Sequence, residues 1–304
     1  MSFLQLPHFK LDGNRVIFLN QYEYLSTPER LSVNNPLHQK VLVDEGIIVG
    51  PPPPAPATTK LPVLFIEPHY DDIALSCANA LLVHRANGHP VHVATLFPRT
   101  AIATFPWRAQ VTLSAEAYHK LRQAEGSGAM HAYLGGTVHS FDERGASLRG
   151  SKEPFGQYET GDQIVVERLL EGVEALIQEI KCNNVFAPMG FGMHRDHRVA
   201  HEIGLALANR GHQVQFYEDQ PYASNRFTFA TTLGSQWQMH YTDSGPNLDS
   251  IANLITMYRS QFDDSTRSQT LATLKCQART AAVEGRGAHE FGDAEFAERT
   301  RVLR

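Results

Sequence analysis

From residue 62 onward, short continuous apolar runs alternate with longer segments whose apolar residues recur every three or four positions. PVLFIE (62–67), VHVATLF (91–97), TVHSF (137–141), NVFAPMG (184–190) and QVQFYE (213–218) read as strands. Between them, IALSCANALLVHRAN, SAEAYHKLRQAEGSGAMHAYLG, QIVVERLLEGVEALIQEIK and RDHRVAHEIGLALANRG read as helices. Strands apolar on both faces, separated by helices, allow few architectures. The expected fold is α/β: a Rossmann-like, mostly parallel sheet covered by helices on both faces. Three further segments, LDSIANLITMYRSQF, RSQTLATLKCQARTAA and DAEFAERTRVL, read as helical.

Residues 1–50 follow a different pattern. NRVIFLNQYEYL reads as a strand or hairpin, NPLHQKVLVDEG as a short helix, and IIV as a strand. Four consecutive prolines in GPPPPAPATTK cannot join a helix or a central strand. The expected division is a small amino-terminal β/α module (1–50), a proline-rich linker (51–60) and a main domain (61–304). The module either packs on the main domain or docks a peptide or carrier.

The net charge of −5 gives no reason to expect nucleic acid, and no apolar run is long enough for a membrane span. The start, MSFLQLPHFKLDGNR, lacks the pattern of a signal peptide. Cys77, Cys182 and Cys276 are sparse and odd in number, which points to a reducing, cytoplasmic setting and to buried thiols rather than disulfides.

Two polar clusters interrupt this apolar plan. PHYDD (68–72) follows the first main-domain strand, and GMHRDHR (192–198) follows the fourth. In a sheet ordered three-two-one-four-five, those strands are neighbours across the point where the order reverses, so the clusters face each other across one crevice. His69 and Asp72 are three residues apart, as are His194 and His197, so each pair can share a local face. Imidazole and carboxylate suit zinc or a related divalent ion, whose charge also offsets the repulsion of adjacent acids. Each cluster has a plainer reading: a helix cap with a first-turn acid, or two histidines on an exposed helix face. His201 continues the same helical face and fits a supporting or structural role. His84, His89, His92, His119, His131 and His139 read as surface or packing residues.

With HYDD and HRDH in these places, the chain resembles the PIG-L/LmbE family of metal-dependent N-deacetylases. Weaker echoes are LRQAEGSGAMHAYLGG, FYEDQPYA, MYRSQF and EFAERTR, in order over residues 62–300. The resemblance implies that His69, Asp72 and His197 hold the metal, usually zinc. It implies that Asp71 is the general base, that His194 stabilises the oxyanion or protonates the leaving amine, and that Asp196 orients and charges His194. The common first motif has Pro and Glu where this chain has Tyr70 and Ile73. Mycothiol-type members have Tyr where it has Gly192. The implied activity is zinc-dependent hydrolysis of an N-acyl group, by default N-acetyl, from a small amino sugar or glycoconjugate. The alternatives are amidase action on a non-sugar amide, and a non-catalytic binding protein that docks a peptide or carrier through its amino-terminal module.

Overall fold

The computed structural model describes residues 9–12, 15–18, 22–25, 60–100, 114–150, 154–156, 159–224, 237–258, 260–262, 264–283 and 297–303. Strands β1 (Phe9–Asp12), β2 (Arg15–Phe18) and β3 (Tyr22–Leu25) form an antiparallel sheet in that order. The hairpin expected over 14–25 is the β2–β3 pair. The helix and strand read in residues 35–49, and the prolines at 51–54, lie outside the described residues.

The main domain opens with β4 (Val63–Glu67), α1 (Asp72–Ser76), α2 (Ala78–Ala86) and β5 (Val91–Thr95). Helix α3 (Ala115–Ser127) runs on as a wider π-helical turn over Gly128–Tyr133, followed by β6 (Thr137–Ser140) and α4 (Thr160–Ile180). Next come β7 (Asn184–Pro188), α5 (Arg195–Asn209) and β8 (Gln213–Tyr217). The chain continues through β9 (Trp237–Asp243), α6 (Leu248–Thr256), α7 (Asp264–Val283) and β10 (Ala297–Leu303). The sheet order is β6-β5-β4-β7-β8-β10-β9, and the first five strands are parallel. That is the three-two-one-four-five order, with β4 and β7 adjacent at the reversal.

Strand alternation divides the core in two. Val63 and Phe65 pack toward Ile73, Leu81 and Tyr258 on one face, where Phe65 stacks on Phe186 at 4.6 Å. Leu64 and Ile66 face Val173 of α4 and Ile203 of α5 on the other. Helix α4 is apolar at Val166, Leu169, Leu170, Val173 and Ile177, a stripe at helical spacing. Glu159 and Asp162 form a reciprocal capping box at its start, and Lys181 turns left-handed at its end (φ 56°). Fully burying each such apolar side chain contributes about 1.5–3 kcal/mol, so this face is well anchored.

One reading is overturned. DAEFAERTRVL was expected to be helical, but its second half is β10, antiparallel to β8 on one side and to β9 on the other. Two open strand edges pair with its backbone, and two buried charges lock it. Glu298 accepts from the amides of Asn79 (2.8 Å) and Ala80 (2.9 Å), which are otherwise unpaired at the start of α2. Arg301 donates to Glu218 at 2.6 Å. The helix read over IALSCANALLVHRAN is also broken at Cys77 into α1 and α2. Cys77 and Cys182 are buried free thiols, as expected; the side chain of Cys276 lies outside the description.

Candidate active site

The ends of β4 and β7 carry the two clusters to one place. After Glu67 the chain turns, and the Asp72 amide donates to His69 O (3.3 Å) as α1 begins. The Asp72 carboxylate spans the crevice. Its Oδ2 accepts from the His69 amide at 2.8 Å and lies 3.3 Å from His69 Nδ1, while its Oδ1 lies 3.3 Å from His197 Nε2. Beyond β7, Gly190 (φ 73°) and Gly192 (φ 83°) take left-handed conformations in a tight turn. That turn leaves His194 as the N-cap of α5, its Nδ1 accepting from the Asp196 amide at 3.2 Å. The three imidazoles then converge: ring centroids are 5.0 Å apart for His69–His194 and His194–His197, and 5.5 Å for His69–His197.

Whether these residues fit a metal can be judged from His197. Its Nδ1 lies 2.6 Å from the buried carboxylate of Asp219, which also accepts from the Phe191 amide at 3.1 Å. That partner assigns the ring proton to Nδ1. The Nε2 lone pair then faces Asp72 Oδ1, acceptor against acceptor, and only a proton or a cation reconciles them. Donor atoms of His69, Asp72 and His197 lie within 4.8 Å of one another. Two imidazole nitrogens and one carboxylate oxygen are a donor set suited to zinc. A second group, His69, His194 and Asp196, meets the same distance, so His69 is common to both.

The charges are distributed accordingly. Burial lowers the affinity of His69 for a proton, but Asp196 and Asp72 outweigh it and hold its pKa at about 10. Burial also opposes charge on His197, yet Asp72 and Asp219 raise its pKa. Burial disfavours the Asp72 carboxylate, but His197 and His69 hold its pKa below the usual range. His194 differs: burial, then the neighbouring His197 and His69, push its pKa well below normal.

This bears on the roles read from the sequence. Asp196 was expected to orient and charge His194. Its backbone amide does reach His194, but its carboxylate turns away, to His69 Nε2 (3.1 Å), the Ala146 amide (2.9 Å) and Arg149 (2.8 Å). Because α5 starts at Arg195, just after the His194 cap, its second residue, Asp196, points back over the 143–149 loop rather than along the imidazole. With Nδ1 accepting from the Asp196 amide, Nε2 is the ring nitrogen left to carry a proton, and the lowered pKa favours the neutral form. Asp71 diverges from its neighbour Asp72 and pairs with the buried guanidinium of Arg122 on α3.

All six residues proposed from the sequence, His69, Asp71, Asp72, His194, Asp196 and His197, line one cavity of about 320 Å³. Residues 64–208 match the PIG-L family, described as GlcNAc-PI de-N-acetylase. Over these residues the chain is similar to a PIG-L domain. A 2'-N-acetylparomamine deacetylase of Streptomyces fradiae is 32% identical over 173 residues, 54% of this chain and 58% of its own length. A 2'-N-acetylparomamine deacetylase of Niallia circulans is 26% identical over 183 residues, covering 52% of this chain and 66% of its own. The chain thus spans about three-fifths to two-thirds of the curated relatives it matches. Among solved structures, the zinc-inhibited form of a teicoplanin deacetylase superposes with a TM-score of 0.60 at 17% identity, over 80% of this chain and 97% of that one. That likeness covers more of the chain than the family match does.

Several residues that complete the site went unassigned in the sequence: Arg122, Arg149, Asp219 and Tyr222. Arg122 and Asp219 lie within LRQAEG and FYEDQPYA, segments already similar to the family, but nothing local separates them from surface charges. Their roles depend on partners 51 and 22 residues away. Tyr222 packs its ring 5.3 Å from His197 and borders the same cavity as the PIG-L motifs. His201 is structural: its Nδ1 contacts Pro188 O at 3.0 Å and its ring packs on Phe216. Of the histidines read as surface or packing residues, His84 packs on Phe65 and Phe186, His89 contacts Leu61 O, His119 contacts Pro98 O and His92 pairs with His139, while the side chain of His131 lies outside the described residues.

Proposed function

We propose that the protein is a zinc-dependent hydrolase that removes an N-acyl group, by default N-acetyl, from an amino sugar or its glycoside. The observation that carries this reading is the divergence of adjacent carboxylates. Asp72 turns to His69 and His197, whereas Asp71 faces the same cavity from beside Arg122. An ion-binding acid next to a separate proton acceptor is the division of labour that amide hydrolysis requires. The similarity to a PIG-L domain and the deacetylase names of its relatives support the substrate class.

In this mechanism His69, Asp72 and His197 hold the ion. When bound there, a divalent cation supplies Lewis-acid polarisation of the amide carbonyl and acidifies water. Asp219, by accepting a hydrogen bond from the Nδ1–H of His197, leaves Nε2 free to serve as a ligand. Asp71, oriented by Arg122, accepts a proton from the attacking water. It then returns that proton to the departing amine nitrogen, so acylated amine and water become carboxylic acid and amine, which part as carboxylate and ammonium. Neutral His194 donates its Nε2 proton in a hydrogen bond to the carbonyl oxygen as negative charge develops on it. Arg149 and the Ala146 amide hold Asp196 in place behind His69.

The test is hydrolysis of simple N-acetylated amino sugars, followed by amine release, with bound metal measured in parallel. Expected are about one divalent ion per chain and activity that chelation abolishes and zinc restores. Protein that binds no stoichiometric metal, and gains no activity from added zinc, removes this reading.

A further inference from the structure

Glu67 has no part in the proposed hydrolysis, yet it is completely buried at the end of β4. Its companions on that face of the strand, Val63 and Phe65, belong to the apolar core that packs on Ile73 and Leu81. A carboxylate among such residues is costly unless its oxygens find donors. Here both do. Oε1 accepts from the hydroxyl of Thr95, its register partner on β5, at 2.7 Å, and Oε2 accepts from the Ile73 amide at 3.4 Å.

The second contact bears on the two acids beside it. Ile73 lies in the first turn of α1, where backbone N–H groups have no carbonyl partner within the helix. Asp71 stands at the position from which a side chain usually meets that need, and Asp is among the residues best suited to it. It does not do so. Its backbone (φ −113°, ψ −10°) is not the extended one that a capping residue adopts, and its side chain makes no bond to the first-turn amides. The carboxylate goes instead to Arg122 and the cavity. Asp72 is held separately, by the His69 amide at 2.8 Å.

We propose that Glu67 is a positioning residue for the hydrolysis: by capping α1 from the strand beneath it, through the Ile73 amide, it relieves Asp71 of that task and leaves the Asp71 carboxylate to face the attacking water. The proposal rests on the deacylase reading and adds to it the group that frees its proton acceptor. Glu67 acts only through Asp71.

Metal-loaded, full-length wild type and three variants are assayed on N-acetylglucosamine and on the β-1,4 disaccharide of two such rings. Bound metal and thermal melts are measured on each. Glu67→Gln keeps an acceptor for the Ile73 amide, and its NH₂ can donate to the Thr95 hydroxyl, so its kcat should stay close to wild type. Glu67→Leu removes the acceptor, and Thr95→Val removes the hydroxyl that aims it. Both should lower kcat by about ten- to a hundredfold, the cost of a misplaced proton acceptor, while KM and bound metal hold because Asp72 keeps its own anchor on His69. A residue that only supports the fold would not separate kcat from bound metal. A crystal structure of Glu67→Leu reads the same point without turnover, since Asp71 should have left Arg122 for the first-turn amides. If Glu67→Leu does not fold, Thr95→Val and Glu67→Gln decide. The role of Glu67 is overturned, while the deacylase reading stands, by any of three results in folded, active protein. These are wild-type kcat in Glu67→Leu or in Thr95→Val, metal lost together with kcat, and Asp71 still on Arg122 in Glu67→Leu. Glu67→Gln as slow as Glu67→Leu overturns it equally. If metal-loaded wild type hydrolyses neither sugar, both fall.

Discussion

Gly192 lies directly beneath Tyr222: a Cβ built at 192 would come within 2.5 Å of Tyr222 Cβ and Cγ and 2.7 Å of Cδ1. The two residues meet beside the cavity that Tyr222 lines, one from the turn after β7, the other from the segment after β8. The place where mycothiol-type relatives carry a tyrosine is thus closed to any side chain here, because another tyrosine from elsewhere in the chain packs over it.

Gly192→Ala should therefore destabilise the protein and displace Tyr222. The left-handed backbone (φ 83°) and the collision act together, and the near atoms belong to the base of the ring rather than to a flexible tip. A loss of about 1–3 kcal/mol is expected in chemical denaturation. Unchanged stability would show that the segment around Tyr222 yields freely.

Asp71→Asn and Asp72→Ala should part company. Asp72→Ala is expected to lose bound metal and activity together. Asp71→Asn should keep the ion but slow turnover by roughly two to four orders of magnitude, since an amide accepts no proton at neutral pH. It also leaves the buried guanidinium of Arg122 without its counter-ion, which should cost about 3 kcal/mol of stability. Bound metal, single-turnover rate and denaturation midpoint are measured on both. Loss of metal in Asp71→Asn with retention in Asp72→Ala would reverse the two roles.

Asp219→Asn tests the support behind His197. The amide can present an N–H to Nδ1 in place of the acceptor, and the ring loses the partner that holds its proton there. Metal affinity should fall by roughly 10–100-fold, read by competition with a chromogenic chelator. Wild-type affinity would exclude this contact from the site's design.

Glu125 makes stability depend on pH. Burial raises its pKa from 4.5 to about 7 against the opposing hydrogen bonds from Ser260. Between those values the folded protein holds a proton that the unfolded chain has released, so this group's contribution to stability falls as pH rises from 4.5 to about 7. Glu125→Gln can keep both Ser260 contacts, accepting from its amide (2.7 Å) and donating to its hydroxyl (2.6 Å). Melting temperatures of the variant should therefore decline less than wild type across that window. Parallel profiles would place the titration elsewhere.

The local alternation of apolar strands and amphipathic helices determined most of the sheet. Its period is written in neighbouring residues, and both faces of every parallel strand must be buried. The same reading brought PHYDD and GMHRDHR together, because strand order dictates which carboxyl ends are adjacent. It did not reach β10, where Thr300 and Val302 sit in a weakly patterned stretch and only the open edges of β8 and β9 decide for a strand. Nor did it reach the pairing of Asp71 with Arg122, of His197 with Asp219, or the turning of Asp196 toward His69 and Arg149. A sequence determines which side chains an element carries and, by its period, which way they face. The partner that sets a buried charge or a ring tautomer comes from another element, at a distance only packing establishes. Tertiary structure therefore decided the electrostatics of this site, while the residues that compose its core were already legible.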